Sequence, residues 1–192
     1  TILASGILGV SVASMQKAVD GGAGGVTIKS VSPEERIGHN NPTMFSFGDV
    51  FMNAVGYSNA GVEESCKEFS NIKDLGVPVI GSAIGKNTEE FVQVVEKFND
   101  LDFSAIEIPL SCPHTPGFGT LAGQNTPEAT EEIISAVKKA CNVPVFVKLS
   151  PGIQNIMEVV EAAQKAGVDA INMGNTHGPG MLINIETKQP DR

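Results

Sequence analysis

Six short apolar runs punctuate the chain: Thr1 to Ala4, Val26 to Lys29, Val77 to Gly81, Ala105 to Leu110, Pro144 to Leu149 and Ala170 to Met173. Each is apolar on consecutive residues and stops at polar residues or glycine, the form taken by a strand buried on both faces of a parallel sheet. Between them apolar positions recur at helical spacing, which predicts helices over Ser14 to Asp20, Val62 to Leu75, Thr88 to Asn99, Pro127 to Cys141 and Ile156 to Ala166. Thr126 before Pro127 and Glu128 has the makings of an N-cap, a proline at N1 and an acid in the first turn. Ala166-Gly167 closes the last helix and feeds the strand that follows. Alternating strands and helices predict βαβ units around a parallel sheet, a pattern that an open doubly wound sheet and a (β/α)8 barrel both satisfy. The barrel is favoured, because no GxGxxG follows the first strand and polar side chains follow nearly every strand. One interval breaks the rhythm. Ser30 to Gly61 holds Pro33, Pro42 and asparagine clusters, is too long for an ordinary βα connection, and reads as a loop-rich functional insert.

Composition narrows the function more than the fold. The 192 residues are 41% hydrophobic, enough for a sizeable core, but only 18% charged, below the roughly 25% usual in soluble domains, so neutral groups or partners cover much of the surface. A net charge of -9 and a pI near 4.8 argue against nucleic acid as a partner. No stretch of about 18 apolar residues predicts a membrane span, and TILASGILGV lacks a basic leader, so the chain reads as mature soluble protein. Cys66, Cys112 and Cys141 are odd in number with no CxxC spacing, which points to no disulfide framework, no metal site and a reducing, cytoplasmic setting.

Candidate chemistry gathers after the strands. Ser111-Cys112-Pro113-His114 directly follows the fourth run, so Cys112 stands at the rim where either architecture places its catalytic groups, able to serve as nucleophile or general base. Cysteine is most often simply buried, and Cys66 and Cys141, inside predicted helices, keep that reading. After Cys112, Pro113, Pro116, Gly117, Gly119 and Gly123 predict a mobile loop. Lys29 and Lys148 each end an apolar strand, where desolvation calls for an anionic partner or a catalytic role. Asn53, Asn59 and Asn175 offer donors and acceptors together, suited to a planar ring edged with carbonyl and N–H groups, although each alone is equally a turn residue. Ala4-Ser5-Gly6 lets a flat ligand approach the backbone or simply makes a tight turn. His39 and His177 read as surface residues.

Six segments taken in order carry a resemblance over essentially the whole chain: ASGILG, GGAGGVTIKSVSPEERIGHNNPT, NAVGYSNAGVE, IEIPLSCPHTPGFGTLAGQN, VPVFVKLSP and INMGNTHGPGMLINIETKQP. Together they resemble the dihydroorotate dehydrogenase family. Cysteine rather than serine in SCP is similar to class 1, and the SCPH…GQN form to class 1B-like, archaeal-like members. The resemblance implies a (β/α)8 TIM barrel that uses FMN to oxidise dihydroorotate to orotate in pyrimidine synthesis. Cys112 matches the catalytic base that takes the C5 proton while hydride passes from C6 to the flavin. Ser5, Lys29, Ser30, Ser82, Lys148 and Gly174 match cofactor-binding positions. Lys29, Asn53, Ala54, Val55, Gly56, Tyr57, Asn175 and Thr176 match substrate-binding positions. Partners implied are a second copy in a homodimer, or an iron–sulfur flavoprotein subunit in a heterotetramer.

Two residues depart from the family pattern. Pro109 stands where an asparagine is usual, and His114 follows SCP in place of another asparagine, a change also found in archaeal-like relatives. With about six of eight βα units countable, the expectation is a single barrel domain over 1–192 lacking its C-terminal units. Such a chain has the ring and substrate side of the site without the phosphate grip, binds FMN weakly and exposes the edges of its first and sixth strands. Competing readings are a flavin-free barrel lyase or aldolase using Lys148 or Lys29 as a Schiff-base amine, an FMN oxidoreductase acting on a related cyclic amide, and an inactive relative serving in a complex.

Overall fold

Side-chain caps set where three of the helices begin. The chain is seen in a computed structural model that describes residues 1–111, 117, 123–178 and 180–190. Helix α1 (Val12–Asp20) opens two residues before its apolar pattern does, because Ser11 accepts from the Ser14 N–H at 3.2 Å and Ser14 returns the bond to Ser11 N–H. Helix α3 (Thr88–Phe98) starts at Asn87, whose Oδ1 accepts from Glu90 N–H at 2.9 Å. Helix α4 (Pro127–Ala140) has Thr126 as cap and Pro127 in its first turn, as its sequence indicates. Helix α5 (Ile156–Lys165) closes through Ala166, and Gly167, at φ 84°, turns the chain toward the next strand. Asn87→Ala should lower stability by about 1 kcal/mol in chemical denaturation while leaving the denaturant slope unchanged.

The remaining predicted helix is divided. Helix α2 (Val62–Glu68) ends at Phe69, and a 3₁₀ turn at Ile72–Leu75 follows. Phe69, Ile72 and Leu75, on the two sides of the break, all enter the core.

Strands β1 (Ile2–Leu3), β2 (Gly25–Thr27), β5 (Val79–Ser82), β6 (Ala105–Pro109), β7 (Val145–Leu149) and β8 (Ala170–Met173) form one parallel sheet in that order. Every neighbouring pair is parallel, and the sheet curls as a six-stranded half-barrel, so an α/β barrel architecture holds. Among the described residues β1 and β8 are each paired on one side. The other two antiparallel pairs lie apart from it: β3 (Met44–Phe47) with β4 (Val50–Asn53), and β9 (Ile183–Asn184) with β10 (Gln189–Pro190). The insert over 30–61 is therefore not all loop; Gly48-Asp49 turns a hairpin of two four-residue strands within it.

Alternation along the strands sorts the two faces of the sheet. Ile106, Ile108 and Leu110 of β6 and its end, with Val145, Val147 and Leu149 of β7, are buried against the helices. Phe91, Val94, Val95 and Phe98 of α3 and Ile133, Ile134 and Val137 of α4 complete that layer. Phe98 lies directly over β5: a Cβ on Gly81 would stand 3.1 Å from its Cδ2 and 2.5 Å from Ile106 Cδ1, so the strand carries glycine there. The residues in between, Glu107 and Pro109 on β6 and Lys148 on β7, turn to the opposite, inner face.

Candidate active site

The inner face opens at the C-terminal ends of the strands into a cavity of about 280 Å³. Its floor and walls come from distant parts of the chain: Ser5 and Gly6 after β1, Lys29 and Ser30 after β2, Pro109 at the end of β6, Lys148 on β7, and Asn175 and Thr176 after β8. The β3–β4 hairpin supplies the opposite wall through Met44, Phe51 and Asn53, continued by Val55, Gly56 and Tyr57. This is the strand end at which barrel enzymes assemble their sites.

Hydrogen bonds lock the rim together. Asn53 Nδ2 donates to Thr176 Oγ1 at 3.0 Å, tying the hairpin to the loop after β8. Asn175 Nδ2 donates to Ser111 Oγ at 2.5 Å, while its own Oδ1 accepts from Thr176 N–H at 2.7 Å. Ser111 is buried and immediately precedes Cys112 in the chain. Lys148 Nζ donates to Ser5 Oγ at 3.2 Å, and Ser5 in turn donates to Glu107 Oε1 at 2.9 Å.

Most of the side chains picked out in the sequence converge here. Ser5, Lys29, Ser30, Lys148, Asn53, Val55, Gly56, Tyr57, Asn175 and Thr176 all line the cavity. Three others stand behind it. Ser82 is fully buried, its hydroxyl 2.9 Å from that of Ser30, so it supports a lining residue instead of lining the wall itself. Ala54 is held by its N–H to the Thr43 carbonyl, and Gly174, at φ 123°, by its N–H to that of Leu149. Asn59 is a brace of the insert: its amide bonds Ser32, Gly61 and the Tyr57 carbonyl. Cys112 and His114 lie outside the described residues, as does most of the segment predicted to be a mobile loop. The thiols of Cys66 and Cys141 are pushed up by burial, which keeps both protonated and unreactive.

Met44, Phe51, Glu107 and Asn172 belong to the site without having been singled out in the sequence. Phe51 and Met44 escape notice because their hairpin shows no apolar face, and Glu107 because a single acid in AIEIPL looks like an interruption of a strand. A polar residue at an inward position of an otherwise apolar strand is the signal that could have found Glu107 and Asn172.

The electrostatics favour an anion. Two ammonium groups, Lys29 and Lys148, line the cavity, and one carboxylate, Glu107, backs it, so the described residues leave a net positive site in a chain of net charge -9. A planar anion with ring carbonyl and N–H groups meets a cation at one end and asparagine amides at its edges. Burial holds the Lys29 ammonium below the ordinary lysine pKa. Anion affinity at this residue should therefore be full at neutral pH and fall as pH climbs through that lowered value, earlier than an exposed lysine would allow. Lys29→Arg, which stays charged, should flatten the alkaline loss when a small planar carboxylate is titrated into the protein; an unchanged slope would remove Lys29 from the anion contact.

The Lys29 backbone is itself positioned by a close approach. Its N–H donates to the Gly9 carbonyl at 2.8 Å, and a Cβ on Gly9 would fall 2.5 Å from that nitrogen and 2.6 Å from the Thr27 carbonyl oxygen. Only glycine fits against the strand end there.

Comparison with known proteins agrees with this geometry along the full chain. The sequence model of the family described as "Dihydroorotate dehydrogenase" matches residues 1–192. A protein of Methanocaldococcus jannaschii named "Dihydroorotate dehydrogenase B (NAD(+)), catalytic subunit" is 41% identical over 98% of this chain and 62% of its own length. Proteins of the same name from Thermoplasma volcanium and Methanothermobacter thermautotrophicus are 40% and 41% identical, over 98% and 99% of this chain and again 62% of their own lengths. The chain thus spans less than two thirds of the curated relatives it matches, and within that span it belongs to the dihydroorotate dehydrogenase family.

Proposed function

We propose that this chain carries the ring-binding and substrate-binding part of an enzyme that oxidises dihydroorotate to orotate with FMN, in pyrimidine synthesis. The observation that carries the reading is the convergence of Lys29, Asn53, Lys148, Asn175 and Thr176 on one cavity from the ends of separate strands. The donor set suits a flavin ring: Lys148 is buried at the wall with an ammonium to set against electron-rich ring atoms, and a Cβ at Gly6 would meet nothing within 4 Å, so the backbone beside Ser5 is open to a flat group. Ser5, Lys29, Ser30 and Lys148 would hold that ring, with Ser82 fixing Ser30 from beneath and Gly174 offering backbone after β8. When bound, FMN supplies the two-electron acceptor for the hydride that leaves C6 of the substrate.

The chain's own residues do the rest. Lys29 pairs with the substrate carboxylate, and Asn53, Asn175 and Thr176 read its ring amides; Ala54 to Tyr57 carry the wall around it. Cys112 takes the C5 proton, so that the C5–H and C6–H bonds are both lost and the ring double bond of orotate forms. The Asn175–Ser111 bond fixes the residue that precedes Cys112 in the chain.

Relatives named as NAD(+) catalytic subunits support a partner subunit, and the reading extends to an iron–sulfur flavoprotein passing electrons to NAD, with a homodimer as the other arrangement. No helix among the described residues is long and apolar enough to cross a membrane; the reading places the enzyme in the cytoplasm. The presence of Pro109 in the cavity wall favours one second reading, a related cyclic amide as substrate, because proline offers no side-chain donor. Turnover compared between dihydroorotate and its carboxylate-free analogue decides between them.

The purified protein carrying this chain should be yellow, and orotate should perturb its flavin spectrum in the wild type but not in Lys29→Ala. A colourless protein trapped on Lys29 or Lys148 by borohydride with a keto substrate would replace this reading by a Schiff-base lyase.

A further inference from the structure

Glu107 is a buried acid with no role in the chemistry above. It sits at the third position of β6, between Ile106 and Ile108, which pack toward the helices, so its side chain enters the inner face. Only 3% of it is exposed. An ionised carboxylate in such a place costs several kcal/mol in lost hydration unless charge and hydrogen bonds offset it. Both are present. Ser5 Oγ donates to Oε1 at 2.9 Å, Asn172 Nδ2 donates to Oε2 at 2.8 Å, and Lys148 Nζ stands 3.9 Å from Oε1. Lys148 also donates to Ser5 at 3.2 Å, so the Ser5 hydroxyl accepts from the ammonium and passes its own proton's bond to the carboxylate.

Four segments meet in this network: the turn after β1, then β6, β7 and β8. Lys148 alone among its charged members also lines the cavity, and the other charged group of the wall is Lys29, which has no part in it. A buried pair of this kind is a weak source of stability, since well-packed apolar residues do as well or better. Its effect is directional instead: it restrains a long, flexible side chain and fixes where its ammonium stands.

The geometry points to Glu107 as the positioning residue of the site, holding Lys148 aimed at the cavity through Ser5. The inference rests on the flavin reading for what Lys148 faces, but not for the network itself.

Acetylation of Lys148 by acetic anhydride at fixed pH, followed by peptide mass spectrometry in the protein freed of any cofactor, reads the network without a flavin. Glu107→Gln keeps the shape and removes the charge. Without the carboxylate the ammonium loses its restraint, so the labelling rate at Lys148 should rise several-fold. In the same variant kcat should fall while KM for dihydroorotate holds, since Lys29 and not Lys148 meets the substrate, a split that a general loss of structure would not give. Unchanged labelling in folded Glu107→Gln protein overturns the inference. If that variant does not fold, Ser5→Ala decides: a several-fold rise supports the relay, and wild-type labelling overturns it. A protein that holds no flavin yet shows the labelling response would sink the proposed reaction and leave the positioning role standing.

Discussion

Cys112→Ala should lower dihydroorotate turnover by about 10²–10⁴-fold, the usual contribution of a positioned general base, with little change in KM. β6 and its end are buried up to Leu110, and Ser111, the residue before Cys112 in the chain, is tied to Asn175 at the rim. Lys29, Asn53 and Thr176, which hold the substrate in this reading, are untouched by the change, which is why binding should survive. Cys112→Ser keeps the size but removes the acidity of the thiol; it should retain partial activity with the pH profile moved toward alkaline values. Steady-state kinetics across pH check both. Wild-type turnover in Cys112→Ala would show that another group takes the C5 proton.

The largest loss of stability should follow Phe98→Ala, at about 3–5 kcal/mol. Phe98 is 1% exposed, its ring centroid is 4.9 Å from that of Phe103, and it rests on Gly81 of β5. Its removal opens a cavity between α3 and the two strands that carry Ser82 and Glu107, on a scaffold too rigid to collapse into it. The same double role makes the variant informative for function. Beyond lower thermal stability, it should loosen the inner face and raise KM, because β5 and β6 hold the residues that support Ser30, Ser5 and Lys148. A loss below 1 kcal/mol by denaturant unfolding would mean that the α3–sheet contact contributes far less than its burial implies.

The strands of the sheet announce themselves in sequence because burial on both faces demands consecutive apolar residues, and the predicted runs overlap all six. Helix starts were less plain at α1, where Ser11 and Ser14 form a reciprocal cap that shifts the first turn ahead of the apolar pattern. The β3–β4 hairpin was hidden for the opposite reason: Phe47, Val50 and Phe51 are exposed, so its strands carry no periodic apolar face, and prolines and asparagines on either side give the interval the composition of a loop. Lys29, Asn53, Lys148 and Asn175 could be picked out singly because each is a polar group at a strand end. Their arrangement could not be, since it depends on contacts between residues more than 100 positions apart, such as Asn53 with Thr176. Glu107 shows this most clearly. Its three partners, Ser5, Lys148 and Asn172, come from three other segments, and nothing local to AIEIPL indicates them.

Polar side chains at the strand ends thus form a cation-lined cavity of the right chemistry for a planar anion beside an electron-accepting ring. The most direct test is to mix the flavin-loaded protein with dihydroorotate in the absence of oxygen and of any other electron acceptor, and to follow flavin absorbance together with orotate formed. The account predicts bleaching of the flavin with one orotate produced per flavin, lost in Cys112→Ala. A flavin that stays oxidised in the presence of excess dihydroorotate would contradict it.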